Sequence, residues 1–363
     1  IPNTRIQSQG PHSISRAGKQ YGPGHAKGPQ EDDSMRAKSI KRALFPAVLI
    51  AAATLATTTP VAQAADWAPK KPVEFVIMAG PGGGADKMAR LMQTVIEKHD
   101  FSPKPFIPVN KPGGSGAEAL IHMKSKTGDE HTVMVTLNSF YTTPLRQPKL
   151  GVDPLTMAPI ARMAEDTFIL WVHKDSGITN IDEFVAAAKK AGSKWTMAGT
   201  GRGGEDELLT SFLNTSYGLD MKYVPFKGGG DVAKQLAGKH ANSTVNNPSE
   251  ALGFYESGDV VPIVTFTGQR LPMFPDVPTM TEIGKPYTYY MQRSVVGPPE
   301  LSDEAYQFYR DVFKKVYDSE EWQQYMKKKS LLGEFITGDD LKDYWKVNND
   351  THRKLLKEIG EIK

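Results

Sequence analysis

The sequence Ala79-Gly80-Pro81-Gly82-Gly83-Gly84-Ala85-Asp86 is a glycine-rich turn that follows a short apolar segment and precedes an amphipathic one. A second turn of this kind, Ala198-Gly199-Thr200-Gly201-Arg202-Gly203-Gly204-Glu205-Asp206-Glu207, lies in the second half of the chain. Such a turn at the start of a helix exposes backbone N–H groups beside the positive end of the helix dipole, and this arrangement holds a carboxylate or a phosphate. The two turns therefore predict a clamp on an acidic small molecule.

The first turn lies within an alternation of short apolar strands and amphipathic helices. We predict strands over 73–78, 106–109 and 132–137, and helices over 85–98 and about 117–125. A β-α-β-α-β succession favours a parallel sheet with right-handed crossovers.

The middle of the chain repeats the alternation and predicts a second αβ domain. Its predicted elements are strands 168–173, 195–198, 223–226, 243–245 and 260–266, and helices 181–191, 205–217 and one ending near Ala237. A strand over 287–296 and three helices, over 302–317, 319–329 and 338–358, then return to the first domain. We expect domain 1 to begin with 65–166, domain 2 to span 167–286, and 287–363 to complete domain 1 across a hinge of two or three strands.

Residues 35–64 have the pattern of a secretory signal peptide. A basic segment, Met35 to Arg42, precedes an apolar segment, Ala43 to Ala56, that is too short to span a bilayer stably. Ala62-Gln63-Ala64 is an A-x-A cleavage site. We predict cleavage after Ala64 and export to the periplasm, with a retained membrane anchor as the alternative.

The charge of the chain is unevenly distributed. Residues 1–64 contain eight Lys or Arg against three Asp or Glu, whereas residues 65–363 contain 36 against 38. The near-neutral remainder disfavours a nucleic-acid partner. Residues 1–34 are polar and rich in Gly, Ser, Gln and Pro, and we expect them to be a disordered or non-native leader.

Cysteine and histidine usage limits the chemistry. The chain has no cysteine, which excludes a disulfide framework and a thiolate site. The eight histidines are scattered without H-x-x-x-H or H-E-x-x-H spacing. We therefore predict no metal and no cofactor.

Four segments form a recognisable series: Gly80-Pro81-Gly82-Gly83-Gly84-Ala85-Asp86, Asn110-Lys111-Pro112-Gly113-Gly114-Ser115-Gly116, Val224-Pro225-Phe226-Lys227-Gly228-Gly229, and Leu271-Pro272-Met273-Phe274-Pro275-Asp276-Val277-Pro278-Thr279. In this order and spacing, they resemble the Bug-type periplasmic solute receptors of tripartite tricarboxylate transporters. The resemblance implies an α/β, type II periplasmic-binding-protein fold, with two domains joined by a hinge and the ligand in the interdomain cleft. It also implies a receptor without catalysis that captures a small organic carboxylate and hands it to the membrane permease subunits. We expect a monomer.

The candidate ligand-binding residues lie at the turns and strand ends that line such a cleft. They are Pro81, Gly82, Gly83, Gly84, Asp86, Ser139 and Phe140 in the first domain, and Thr200, Gly201, Arg202, Gly203, Asn246 and Asn247 in the second. Arg202 is a candidate for a forked contact to a ligand carboxylate, or else a solvated loop residue. Phe140 is a candidate wall for an apolar ligand body, or else a core residue. Asn246 or Asn247 either bonds the ligand or forms a turn before Pro248.

Other interpretations of the first turn and of the function remain. Gly80-x-Gly82-x-x-Ala85 also fits a dinucleotide fingerprint, which expects an acidic residue where the second strand ends in Val109-Asn110. A purely structural turn is a third interpretation. The ligand class stays open among di-, tri- and aromatic carboxylates. Two further functions are an exported ligand-sensing receptor for a signalling system and an exported α/β enzyme acting on an acidic substrate, although no nucleophile–base pair supports the enzyme.

Overall fold

The computed structural model describes residues 67–363 of the 363-residue chain. The predicted leader, 1–34, and the predicted signal peptide, 35–64, lie outside the described residues. Within the described part, no helix has the length and apolar character needed to cross a membrane.

The first lobe is built on a five-stranded sheet with the strand order β2-β1-β3-β10-β4. Its elements are β1 (Val73–Ile77), α1 (Gly84–Lys98), β2 (Phe106–Asn110), α2 (Ala117–Ser125), β3 (Thr132–Val135), α3 (Ser139–Arg146), β4 (Met157–Asp166), β10 (Met291–Pro299), α8 (Asp303–Asp318) and α9 (Glu320–Lys329). Strand β1 pairs in parallel with β2 and β3, whereas β10 is antiparallel to β3 and β4. The apolar face of α1, with Met88, Met92 and Val95, packs into the core of this lobe and so fixes the helix N-terminus at the end of β1.

The second lobe repeats this topology with the strand order β7-β6-β8-β5-β9. Its elements are β5 (Ile169–His173), α4 (Ile181–Ala191), β6 (Thr196–Thr200), α5 (Glu205–Tyr217), β7 (Lys222–Phe226), α6 (Gly229–Ala237), β8 (Ser243–Asn246), α7 (Pro248–Glu256) and β9 (Val260–Thr265). Strand β6 is parallel to β7 and β8, and β5 is antiparallel to β8 and β9. Strand β5 thus takes the place that β10 takes in the first lobe. Equivalent turns, one after β1 and one after β6, therefore lead into α1 and α5.

Three parts of the chain connect the lobes. Strand β4 ends at Asp166 in the first sheet and β5 begins at Ile169 in the second, and the segment from β9 to β10 returns to the first sheet. The last helix, α10 (Gly338–Glu358), packs on α3 and β4 of the first lobe, while its Leu356 is buried in the core of the second. The predicted α/β architecture of two αβ lobes is confirmed.

Several elements differ from the predictions. The predicted strand over 287–296 is β10, which begins later and ends at Pro299. Strand β4 was not predicted, because Pro159 and Arg162 interrupt its apolar pattern; Arg162 is nevertheless buried and bonds the Glu165 carboxylate over 3.0 Å. Helices α3 and α7 were also not predicted, since each contains a proline, internal in α3 and at the first position in α7.

Candidate functional site

A cavity of about 500 Å³ lies between the two lobes. The first lobe contributes the N-terminal turn of α1, the loop 112–116 before α2 and the beginning of α3. The second lobe contributes the N-terminal turns of α5, α6 and α7. The first N–H groups of a helix have no intrahelical acceptor and carry a partial positive charge, so both lobes direct polar backbone groups towards the cavity.

Seven of the predicted ligand-binding residues line this cavity: Gly83, Gly84, Ser139, Thr200, Gly201, Arg202 and Asn247. Ser139 begins α3 and is only 7% exposed, and its Oγ has no hydrogen-bond partner among residues 67–363. A buried hydroxyl without a partner has a hydrogen bond left to make, and it can donate or accept one. Asn247 instead donates its Nδ2 to the Thr167 carbonyl over 2.8 Å, at the link between the lobes.

Two predicted contacts lie away from the cavity because their side chains complete the cores. Phe140 is fully buried, and its ring centroid lies 5.0 Å from that of Trp345 in α10. Its interpretation as a core residue is therefore the one that the structure supports. Asn246 is also buried, and it donates its Nδ2 to the Gly229 carbonyl over 3.0 Å, which ties β8 to the start of α6.

Four further predicted residues do not line the cavity, because the turns are closed by their own acidic residues. Pro81 and Gly82 are exposed at the outer side of the first turn. The Asp86 carboxylate accepts the Gly82 N–H over 2.9 Å and also bonds Arg90 and Asn110. In the second turn, the Gly203 N–H donates to Glu207 Oε2 over 2.5 Å.

Arg202 lies at the cavity with its side chain turned towards its own helix. Its guanidinium is more than half exposed and bonds Glu207 over 3.3 Å, while its backbone N–H reaches Ser115 Oγ across the lobes over 3.4 Å. A forked contact from Arg202 to a ligand stays a prediction.

The backbone donors that the sequence assigned to a ligand are largely bonded to carboxylates of the protein itself. The Gly84 N–H donates to Glu250 Oε1 over 2.8 Å, and the Thr200 N–H donates to Asp206 Oδ2 over 2.7 Å. These two N–H groups are therefore occupied by carboxylates of the protein, and the binding of a ligand anion by the two turns stays a prediction. A buried N–H requires an acceptor, and here the acceptors are carboxylates of the protein itself.

Two carboxylates of the second lobe, those of Glu250 and Glu205, bridge the lobes. Glu250 on α7 of the second lobe reaches Gly84 at the start of α1 in the first. Glu205 at the start of α5 accepts the N–H of Asn138, the residue before α3, over 2.8 Å. The bridge at Glu250 also requires a glycine in α6, because a Cβ at Gly229 would lie 1.7 Å from the Glu250 carboxylate.

A buried ion pair stands at the back of the cavity. Arg293 of β10 donates its Nε to Asp166 Oδ2 over 3.1 Å, and its Nη2 bonds the same oxygen; both side chains are at most 2% exposed. Burial alone would lower the pKa of Arg293, but the Asp166 carboxylate raises it, and the net shift is upward. Arg293 is therefore a permanent buried cation at the cavity wall.

Burial raises the pKa of each of three carboxyl groups at the cavity, Glu205, Asp206 and Glu250. The loss of water disfavours the charged form, and for Asp206 the neighbouring Glu205 adds repulsion. The backbone N–H groups that these carboxylates accept oppose the shift without cancelling it. Burial therefore disfavours the charged form of all three carboxyl groups, whereas Arg293 is the buried cation of the same wall.

The sequence prediction missed the cavity's ionisable residues and one loop. Glu205 and Asp206 lay in the quoted second turn but were not assigned to the site, although three successive acidic residues at a helix start were the available signal. Glu250 and Arg293 lie in segments without a local motif, so only the fold brings them to the cavity. The loop 112–116, which belongs to the segments quoted for the family resemblance but was not assigned to the site, forms part of the wall. Among residues 67–363, no group of three or more His, Cys, Asp or Glu side chains is placed to hold a metal ion.

Two lobes of equal topology around a cavity define a two-lobed solute-binding fold. Residues 88–361 match the family described as the tripartite tricarboxylate transporter family receptor, TctC, and the chain belongs to this family. A Cupriavidus necator relative, "UPF0065 protein in gbd 5'region", is 26% identical over 318 residues, which cover 86% of this chain and 96% of the relative. The predicted membership is confirmed.

Solved structures show the same fold. The periplasmic binding protein BugD is 21% identical with a TM-score of 0.76, over 81% of this chain and 99% of that one. An R. palustris protein solved with adipate is 22% identical with a TM-score of 0.76, over 80% of this chain and 98% of that one. The predicted periplasmic-binding-protein fold is thereby confirmed.

Proposed function

We propose that this protein captures a small organic carboxylate in the cavity between its lobes and delivers it to the membrane permease subunits of a tripartite transporter. It works in the periplasm as a monomer and acts by binding, without catalysis. The observation that carries the proposal is a cavity enclosed by helix N-termini of both lobes, in a chain of this receptor family. The adipate held by a structural relative is a ligand of the same class.

Binding in this cavity is coupled to closure of the lobes. The wall of the first lobe supplies the first turn of α1 and the unpaired Ser139 hydroxyl, and the wall of the second supplies the first turns of α5 and α6. A ligand that contacts both walls stabilises the closed arrangement, because it has more contacts there than in an open one. The closed form is then the one that the permease recognises.

Titration calorimetry of the purified protein tests the capture step. The panel contains dicarboxylates, citrate, aromatic carboxylates and neutral sugars, and we expect binding of carboxylates and none of sugars. Ser139→Ala should weaken binding by about tenfold, since it removes a hydrogen bond to a charged group. Ser125→Ala, at the exposed end of α2, is the control. Binding of sugars alone would contradict the proposal.

Two further measurements test the remaining parts. The acid recovered after incubation, examined by NMR, should be unchanged, and its conversion would revive an enzymatic function. Uptake of the bound acid into vesicles that contain the permease subunits should require this protein, and uptake at the same rate without it would contradict the delivery step.

A further inference from the structure

A second cavity, of about 460 Å³, lies beside the link between the lobes, and nine of its eleven lining residues are half-buried or exposed. We call it the hinge groove. The first lobe contributes Lys87, near the start of α1, together with Lys328 and Lys329 at the end of α9. The second lobe contributes α7 and the loop that follows it. The hinge groove is thus open to the surface and is formed by both lobes together.

Both sides of the hinge groove are tied to one residue of the link. Asn247, just before α7, donates its Nδ2 to the Thr167 carbonyl over 2.8 Å, and Thr167 donates its Oγ1 to the carbonyl of Ser330, just after α9, over 3.2 Å. Lys87 Nζ reaches the Ser249 carbonyl across the lobes over 3.4 Å. A rotation of the lobes about this link changes the spacing between the lysines and α7. The shape of the hinge groove therefore depends on the arrangement of the lobes.

The lysines of the hinge groove have no acidic partner. Among residues 67–363, no carboxylate forms a salt bridge with Lys87, Lys328 or Lys329. Burial lowers the pKa of Lys329, and the charges of Lys87 and Lys328 lower it further, while Glu256 has the opposite effect. Three like charges thus lie near one another at the surface.

Two of the three acidic residues in the hinge groove are bonded elsewhere. Glu250 accepts the Gly84 N–H over 2.8 Å, and Asp259 accepts from Lys174 Nζ over 3.0 Å. Within the described part of the chain, the carboxylate of Glu256 is the one that has no such partner. Three cations therefore stand against a single available carboxylate, and the hinge groove attracts negative charge.

Exposure of these charges favours a protein partner over a small buried anion. Lys328 is exposed, Lys87 and Lys329 are half-buried, and the half-buried Phe254 adds an apolar surface beside them. Charges at an exposed rim attract a partner of opposite charge over a distance and fix its orientation. An acidic segment of another protein has the charge and the side chains that complement this surface.

We propose that the hinge groove docks an acidic segment of the membrane permease subunits, with its carboxylates against Lys328 and Lys329 and an apolar side chain against Phe254. This proposal rests on the proposed function and assigns a surface to its delivery step. Because the shape of the hinge groove depends on the arrangement of the lobes, docking there distinguishes the closed form from an open one.

Reversal of the two charges on α9 tests the proposal. The double variant Lys328→Glu with Lys329→Glu should bind the tightest carboxylate of the panel as the wild type does in calorimetry, because neither residue lines the cavity between the lobes. In vesicles that contain the permease subunits, half-maximal uptake of that carboxylate should require about tenfold more of the variant than of the wild type, since like charges then face each other. Lys328→Gln with Lys329→Gln removes the charges without reversing them and should give a smaller loss.

Lys189→Glu with Lys190→Glu is the matched control. These two lysines are also consecutive and exposed in the last turn of a helix, α4 of the second lobe. The control changes the net charge by the same amount and should support uptake as the wild type does. Higher salt should weaken docking of the wild type and the control more than that of the charge-reversed groove variant. An equal loss of uptake in the control would show an effect of net charge and would overturn the assignment to the hinge groove.

The outcomes separate this proposal from the proposed function. Equal uptake with the wild type and the charge-reversed groove variant would overturn the docking surface and leave capture and delivery intact. Loss of carboxylate binding in that variant would assign the lysines to capture and would also overturn it. Phosphate bound by the wild type but not by the variant, with uptake unchanged, would show a small-anion site instead. Uptake at the same rate without the protein would contradict the delivery step itself.

Discussion

The carboxylate of Glu250 accepts the Gly84 N–H over 2.8 Å, so a side chain of the second lobe occupies the positive end of a helix in the first. Helix α1 thereby has a second acidic partner at its N-terminus, besides its own Asp86. The contact joins the two lobes directly, and the second carboxylate oxygen lies against Gly229 at the start of α6. We therefore expect closure of the lobes to depend on this side chain.

Glu250→Ala should shift the protein towards an open arrangement of the lobes. A hydrogen bond to a charged group contributes roughly 1.5–3 kcal/mol, so the ratio of closed to open protein should fall by about tenfold or more. Distance measurement between spin labels on the two lobes, without ligand, checks this expectation. Glu256→Ala, at the exposed end of the same helix, is the control. An unchanged distance distribution in Glu250→Ala would contradict the bridging role.

Gly229→Ala should weaken ligand binding while Gly228→Ala should not. A Cβ at Gly229 would lie 1.7 Å from a Glu250 oxygen, whereas a Cβ at Gly228 would meet nothing within 4 Å. The alanine at 229 must displace the carboxylate from Gly84, and we expect affinity for the ligand to fall by at least tenfold. Calorimetry with the tightest carboxylate of the panel measures both variants. Equal ligand affinities of the two variants would contradict the prediction, because they would show that displacing the Glu250 carboxylate from Gly84 does not affect binding.

The sequence was sufficient to predict the two glycine-rich turns, but not all of the carboxylates that bond their N–H groups. The apolar periodicity and the glycine-rich stretches predict α1 and α5 correctly, because these signals are local. Glu250 lies 166 positions from Gly84, and Arg293 lies 127 positions from Asp166, so no spacing rule relates them. Glu250 and Arg293 belong to the site only because the fold brings them to partners that are distant in the sequence.

Phe140 shows why a residue of the cavity wall could not be distinguished from a core residue in the sequence alone. An aromatic residue after a strand end is suitable for a ligand wall or for a core, and the decision depends on what packs against it. The last helix supplies Trp345 as its neighbour, and this helix is some 200 positions away in sequence. Its place against α3 follows from tertiary packing, for which the sequence around Phe140 has no signal.

Asp166→Asn should strongly destabilise the protein. It removes the counter-charge of Arg293, which is then buried without a partner, and breaking such a pair costs about 3–5 kcal/mol. Urea denaturation measures the free energy of unfolding. Asp311→Asn, which breaks the exposed pair with Arg310, is the control and should cost less than about 1 kcal/mol. Similar losses in the two variants would contradict the assigned role of burial.

His352 should make the stability of the protein fall in mild acid. The ring is buried in α10, where Nε2 lies 2.8 Å from the Tyr289 hydroxyl and Nδ1 lies 2.6 Å from the Asn348 carbonyl. Burial lowers the pKa of His352 from 6.5 to about 4, although the bond to Asn348 opposes the shift. Between these two pH values the unfolded chain binds a proton that the folded protein does not. The free energy of unfolding should therefore fall as the pH drops through this window, by roughly 3 kcal/mol in total.

The measurement is the difference between the wild-type protein and His352→Gln. Urea denaturation from pH 7 to pH 4 gives the free energy of unfolding of each, and subtraction removes the acidic groups, whose raised pKa values act in the opposite direction. Glutamine retains a donor and an acceptor but does not titrate, so the variant should lose less stability in acid than the wild type. His240→Gln, on the exposed surface, should follow the wild-type curve. Parallel curves for the wild type and His352→Gln would show that His352 does not remain neutral in the folded protein.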